Sequence, residues 1–205
     1  MTDRGCFLAL EGPDGGGKTT QAGRLIDRLA AAGREAVLVR EPGGTSLGER
    51  VRAVLLDPDL EGMGAPAEAC LFMACRAQLV TEVIRPALDR GAVVVSDRFL
   101  LSTLVYQGVV GGLPMDAIAA VADLATGGLR PDRTVVLDVP PEVGLGRIEG
   151  GFDRMERKGA AHQARVRDGY LALARDDASA VVIDGIAPPD RVAEQVWEAV
   201  RDALC

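Results

Sequence analysis

Five short apolar runs punctuate the chain, at residues 6–10 (CFLAL), 36–40 (AVLVR), 91–97 (GAVVVSD), 134–139 (TVVLDV) and 180–184 (AVVID). Each is too short for a buried helix and is continuous rather than alternating. That pattern marks strands covered on both faces. Between them, apolar residues recur at helical spacing. Ala22, Leu25, Ile26 and Leu29 form one such stripe, which ends near Gly33. Further helices are expected at 47–56 (LGERVRAVLL) and from the Gly/Pro-containing connection at 57–66 to about Arg90. Helical segments are also expected after residue 97, after Pro140-Pro141, at 161–176 and from about Pro189. Residues 149–160 are charged and carry little apolar periodicity. The alternation predicts a five-stranded parallel sheet with helices on both faces, a three-layer α/β/α arrangement. No internal repeat or low-complexity linker divides the chain, so residues 1–205 read as one domain.

The first strand runs directly into Gly12, Pro13, Asp14, Gly15, Gly16, Gly17, Lys18, Thr19 and Thr20. The spacing is G-x-x-x-x-G-K-[ST], the signature of a P-loop. Glycines let successive backbone N–H groups curl around a phosphate with no Cβ in the way. The helix that follows points its N-terminus at the same anion. Lys18 is placed to reach the β- and γ-phosphates of ATP, and the Thr19 hydroxyl to ligate Mg²⁺. A chance glycine-rich turn is the competing reading. The order strand, loop, helix argues against it, and the expected class is a P-loop NTPase fold.

Composition narrows the partners. The formal net charge is −7, which disfavours a surface for nucleic-acid polymers but not a local basic pocket for a nucleotide. No apolar run approaches the length of a membrane span. The four cysteines, at 6, 70, 75 and 205, form no CxxC pair, so reduced thiols in a cytoplasm are expected. The single histidine, His162, argues against a histidine-based metal site or triad. Lysine occurs only at positions 18 and 158, so one of the two falls in the glycine-rich loop.

Several segments together resemble bacterial thymidylate kinase over nearly the whole chain. They are FLALEGPDGGGKTT (7–20), VREPGGTSLGERVRAVLL (39–56) and EACLFMACRAQLV (68–80). They continue with VVVSDRFLLSTLVYQG (93–108), LRPDRTVVLDVPPEVGLGR (129–147) and FDRMER (152–157). EPGG after the second strand and DR-x-x-x-S-[ST]-x-x-YQG after the third are specific in combination.

The resemblance implies roles for particular residues. Arg98 and Arg52 would grip the phosphate of dTMP, since a guanidinium fork suits that geometry. Asp97 would hold the Mg²⁺ water shell. Phe72 would stack on thymine and Arg76 would bond its O4; the two are four residues apart and share a helix face. Thr103 and Gln107 would read the thymine edge, and Tyr106 would crowd the sugar 2′ position. Asp14 would meet the 3′-hydroxyl, and Glu41 of EPGG belongs to the same dTMP site. Core packing remains the alternative for Phe72, and a solvated helix face for Arg52.

Residues 147–160 read as the family's lid, and look short for one. The loop at 13–17 contains no arginine, so the lid is expected to supply the catalytic one. Arg154 is the best match, with Arg147 against the adenine or phosphates of ATP. A plain solvated charge run is the competing reading. Phe99, Leu101 and His162 stand where the family usually carries other residues. The implied reaction is ATP-dependent phosphorylation of dTMP to dTDP, by a homodimer formed through helices that include the one at 66–90. Two rivals are a kinase for another nucleoside monophosphate and a non-kinase P-loop ATPase, which would lack an acceptor pocket.

Overall fold

The computed structural model describes residues 5–60, 62–148 and 153–204. Five strands form one all-parallel sheet: β1 (Cys6–Glu11), β2 (Ala36–Arg40), β3 (Val93–Asp97), β4 (Arg133–Asp138) and β5 (Ala180–Asp184). Their order across the sheet is β2-β3-β1-β4-β5. The central strand β1 is buried along its whole length, as its unbroken apolar run requires.

Successive side chains of β1 feed two cores. Cys6, Leu8 and Leu10 pack against α1 (Lys18–Ala31) and α9 (Pro189–Val200) through Leu25, Leu29, Val192 and Val196. Phe7 and Ala9 point to the other face. There they meet α3 (Ala65–Leu79), α4 (Arg85–Asp89) and α6 (Met115–Thr126) through Met73, Leu79, Ala87 and Ile118. A third cluster joins Val136 of β4 to Val105 and Tyr106 and to Val166 and Tyr170 of α8 (Ala160–Arg175). The two remaining longer helices, α2 (Ser46–Leu56) and α7 (Pro141–Gly146), follow β2 and β4.

The helix expected from residue 66 to about Arg90 runs its full course, but not as uniform α-helix. Val80–Ile84 form a π turn between α3 and α4, with the Arg85 N–H donating to Val80 O. Pro86 gives the reason. It has no N–H to donate and its ring crowds the preceding turn, and a wider turn just before it relieves both. A second π segment, Leu104–Val110, follows the short α5 (Leu100–Thr103) and carries Tyr106 and Gln107. The lid is described only in part. Residues 149–152, including Phe152, lie outside the described residues, as does Cys205; Glu156–Lys158 form one 3₁₀ turn. No helix among the described residues is long and apolar enough to cross a membrane.

Candidate active site

Register brings the site together. Leu10 of β1 and Arg40 of β2 both lie opposite Asp97 of β3. The next residues of the three strands, Glu11, Glu41 and Arg98, therefore emerge side by side at the carboxyl edge. Such edges are where open α/β sheets bind ligands.

The P-loop wraps this edge. Gly12, Gly15 and Gly17 all take positive φ, at 132°, 69° and 87°. At Gly15 a Cβ would also collide with Gly144 O of α7, at 1.9 Å, so the loop is pressed against that helix. Lys18 donates to Pro13 O at 2.6 Å, and its ammonium is buried beneath the loop. Burial first, and the neighbouring Arg98 charge second, lower its pKa to about 8. Thr20 is exposed on the first turn of α1. Thr19 Oγ1 donates to Asp97 Oδ2 at 2.5 Å, so a hydroxyl and a carboxylate meet at the mouth of the loop. That pair is the kind of hard-oxygen donor set that suits Mg²⁺ when phosphates and waters complete the shell.

Arg98 has φ 71°, the only positive φ outside glycine among the described residues. A left-handed arginine costs about 1–3 kcal/mol and persists only where its surroundings impose it. Glu11 imposes it here. Its buried carboxylate accepts from Phe99 N–H at 2.8 Å, from Ser102 N–H at 3.2 Å and from Ser102 Oγ–H at 2.6 Å. Burial raises the Glu11 pKa, against the pull of Ser102 and Arg98. The turn so fixed swings the Arg98 guanidinium back over the P-loop. It donates to Gly12 O at 3.0 Å and Tyr170 OH at 3.0 Å, and it pairs with Asp14. Asp14 also accepts from Tyr106 OH at 3.0 Å and Gln163 Nε2 at 2.8 Å. Burial alone would raise the Asp14 pKa, but Arg98 and Lys18 outweigh it and hold it below the usual range.

A cavity of about 300 Å³ opens from this point. Its walls include Lys18, Thr19 and Asp97, the arginines Arg52 and Arg98, and Phe72, Arg76, Thr103 and Gln107. Arg52 projects from α2, whose first turn is capped by Thr45 Oγ1 on Gly48 N–H, and donates to Pro42 O at 2.8 Å. Arg76 is fully buried and heavily engaged. Nε and NH2 bind Glu41 at 2.8 and 2.5 Å, NH2 also reaches Phe99 O, and NH1 reaches Thr103 Oγ1 at 3.1 Å and Met73 Sδ at 3.2 Å. The weak thioether contact is the one that a ligand oxygen displaces most easily. Phe99 lies edge-on to Phe7 and beneath Arg76, so its ring replaces a polar group by packing.

Of the lid, Asp153 and Met155 line the cavity, whereas Arg147 and Arg154 do not. Arg154 donates to Leu55 O at 2.8 Å and to Glu68 Oε2 at 2.6 Å. Arg147 donates to Gly185 O at 3.1 Å, beyond the end of β5. Glu11, Glu68, Ser102, Gln163 and Tyr170 were given no role from the sequence. Glu11 carried a local signal, a charge closing an otherwise apolar strand, and Ser102 is the serine of the DR-x-x-x-S-[ST]-x-x-YQG pattern; the others act through partners far away in sequence.

A sequence profile described as "Thymidylate kinase" matches residues 10–196. A protein of Pseudomonas fluorescens named thymidylate kinase is 50% identical over 202 residues, covering 98% of this chain and 96% of its own. One from Symbiobacterium thermophilum with the same name is 46% identical over 200 residues, covering 97% and 94%. The crystal structure of thymidylate kinase from Ehrlichia chaffeensis superposes with a TM-score of 0.78 at 30% identity, covering 96% of this chain and 99% of that one.

Proposed function

The chain belongs to the thymidylate kinase family, and from that premise we propose that it transfers the γ-phosphoryl group of ATP to the phosphate of dTMP, giving ADP and dTDP. One observation carries the reading. The cavity that takes in the P-loop lysine is also lined by an aromatic ring, a buried arginine and two uncharged hydrogen-bonding side chains. A P-loop ATPase without an acceptor has no use for that second set, which we read as the acceptor chamber.

The proposed roles are as follows. ATP lies on the P-loop from Gly12 to Thr20, with Arg147 on its adenosine side. dTMP enters the second chamber with its phosphate between Arg52 and Arg98. Phe72 supplies a stacking face, while Arg76, Thr103 and Gln107 meet the edge of the base. Asp14 and Tyr106 face the sugar, and Glu41 keeps the Arg76 guanidinium in plane. The acceptor phosphate is anionic at neutral pH, so the step needs no general base. Positioning and charge stabilisation by Lys18, Arg98 and Arg154 do the rest. Thr19 and Asp97 would hold Mg²⁺, which when bound neutralises charge on the transferring phosphates.

The same reading includes a cytoplasmic homodimer. Cys70 and Cys75 are free thiols, in keeping with a reducing compartment. Leu47 and Val54 of α2 and Val121 and Leu124 of α6 are exposed, on helices that both pack against α3, and Leu124 is 86% exposed. Apolar groups gathered in this way favour a protein contact. Sedimentation equilibrium checks it; a monomer at micromolar concentration removes the dimer.

The activity is tested by coupled ADP release with dTMP, dUMP, dCMP, AMP and GMP as acceptors. Turnover of dTMP should stand well above the others. Equal turnover of dCMP and dTMP removes the base assignment, and ADP release without any acceptor restores the ATPase alternative.

A further inference from the structure

Glu68 does not itself line the cavity, yet it holds two groups that matter to the site. It lies on α3, one turn before Phe72, and is 4% exposed. Its Oε1 accepts from Gln107 Nε2 at 2.7 Å, while Oε2 accepts from Arg154 NH2 at 2.6 Å, with Lys158 Nζ at 3.8 Å. We propose that Glu68 is the positioning residue that decides which end of the Gln107 carboxamide meets the acceptor base, and that it thereby sustains the choice of a 4-oxo over a 4-amino pyrimidine. The inference rests on the reading of dTMP as acceptor.

The two ends of a carboxamide have nearly the same shape, so packing alone does not choose between them. A carboxylate does choose, because it can only accept. Facing Glu68, Gln107 must turn its NH₂ toward α3 and its oxygen the other way. Gln107 lines the cavity, and no donor among the described residues reaches that oxygen. An oxygen in this place accepts from the ring N3–H of a 4-oxo pyrimidine. Against a 4-amino pyrimidine it meets the lone pair of N3 and repels. A flipped amide reverses both relations. Glu68 thus acts on selectivity through Gln107, without touching substrate.

Glu68→Gln is nearly isosteric and can pair with either end of Gln107, so it removes the bias. It also releases Arg154, which changes turnover of every acceptor alike. The ratio of kcat/KM for dTMP to that for dCMP isolates the first effect from the second. That ratio should fall about tenfold or more in Glu68→Gln, the equivalent of one hydrogen bond. The fall should lie in KM and in the separately measured Kd of dTMP, with kcat moving equally for both acceptors. The exchange Glu68→Gln with Gln107→Glu keeps a carboxylate–carboxamide pair of the same size and still turns an oxygen to the base. It should retain the dTMP preference, whether or not the single variant folds. An unchanged ratio in folded Glu68→Gln, or loss of preference in the exchanged pair, overturns the inference and leaves the dTMP reading intact. A wild-type protein with no preference for dTMP over dCMP overturns both.

Discussion

Lys18 is charged in an unfavourable place. Burial and the Arg98 charge lower its pKa to about 8, so near that pH part of the population is neutral. For the fold, a depressed lysine pKa is a penalty, full below about pH 8 and shed as pH rises toward the unfolded value of 10.5. A polyphosphate on the loop reverses the balance and restores the proton. ATP binding at pH 9 should therefore take up close to one proton, read by calorimetry in buffers of different ionisation enthalpy. Lys18→Arg should abolish the uptake; the same uptake in that variant places the titration elsewhere. Arg98 carries a second expectation. Arg98→Ala removes a phosphate anchor and leaves Asp14 without its ion pair, so kcat/KM for dTMP should drop about 10²-fold or more at saturating ATP. A change confined to the KM for ATP contradicts the acceptor role. Both residues were legible in the sequence because each stands in a telling local frame, a glycine-rich loop or a buried strand's end. Glu11 and Tyr170 were not. Glu11 bonds Phe99 and Ser102 from 88 and 91 positions away, and Tyr170 from 159, and no local pattern encodes such pairing.

At the scale of elements, the strands were legible to within a residue or two, because a strand buried on both faces must be apolar throughout. The π turns were not. Val80–Ile84 carries no turn signal of its own, and the downstream Pro86 accounts for it. Equally hidden was the contact between α7 and the P-loop. A Cβ on Gly144 would meet Asp14 O at 2.5 Å, whereas one on Gly146 meets nothing within 4 Å. Gly144 lies outside every recognisable phosphate motif, yet it sets how closely the loop can lie against α7. Gly144→Ala should displace the loop, weaken ATP binding about tenfold or more and destabilise the fold by about 1–3 kcal/mol. Gly146→Ala, on the same short helix, should change neither by more than about 0.5 kcal/mol. Thermal unfolding with and without ATP distinguishes them. Equal behaviour of the two variants shows that the loop has room to adjust.

Across the whole molecule, in the proposed reaction the two substrates meet where the P-loop and the acceptor side leave the transferring phosphoryl group only partly covered by positive charge. Lys18 and Arg98 approach it from the sheet edge, and the loop at 13–17 has no arginine to add. Charge that builds on the transferring phosphoryl group must be met from the lid. Arg154 is the candidate, and it is held on the acceptor side by Glu68 and by Leu55 O. Bringing it to the phosphates requires breaking its buried ion pair with Glu68, a step that the proposed reading ties to occupation by both substrates. Its effect should then fall on the chemical step and not on acceptor binding. An arginine used in this way is worth roughly 10³–10⁵ in rate. Arg154→Ala should lower kcat steeply in single-turnover experiments while the Kd for dTMP stays near normal. Arg157 is the matched control: it lies three residues on, with NH1 bound to Pro58 O at the surface. Arg157→Ala should keep most of the rate. A crippled Arg157→Ala beside a nearly normal Arg154→Ala exchanges the two roles. If neither substitution slows the step, the lid contributes no catalytic charge, and the developing negative charge is met by Lys18, Arg98 and the metal alone.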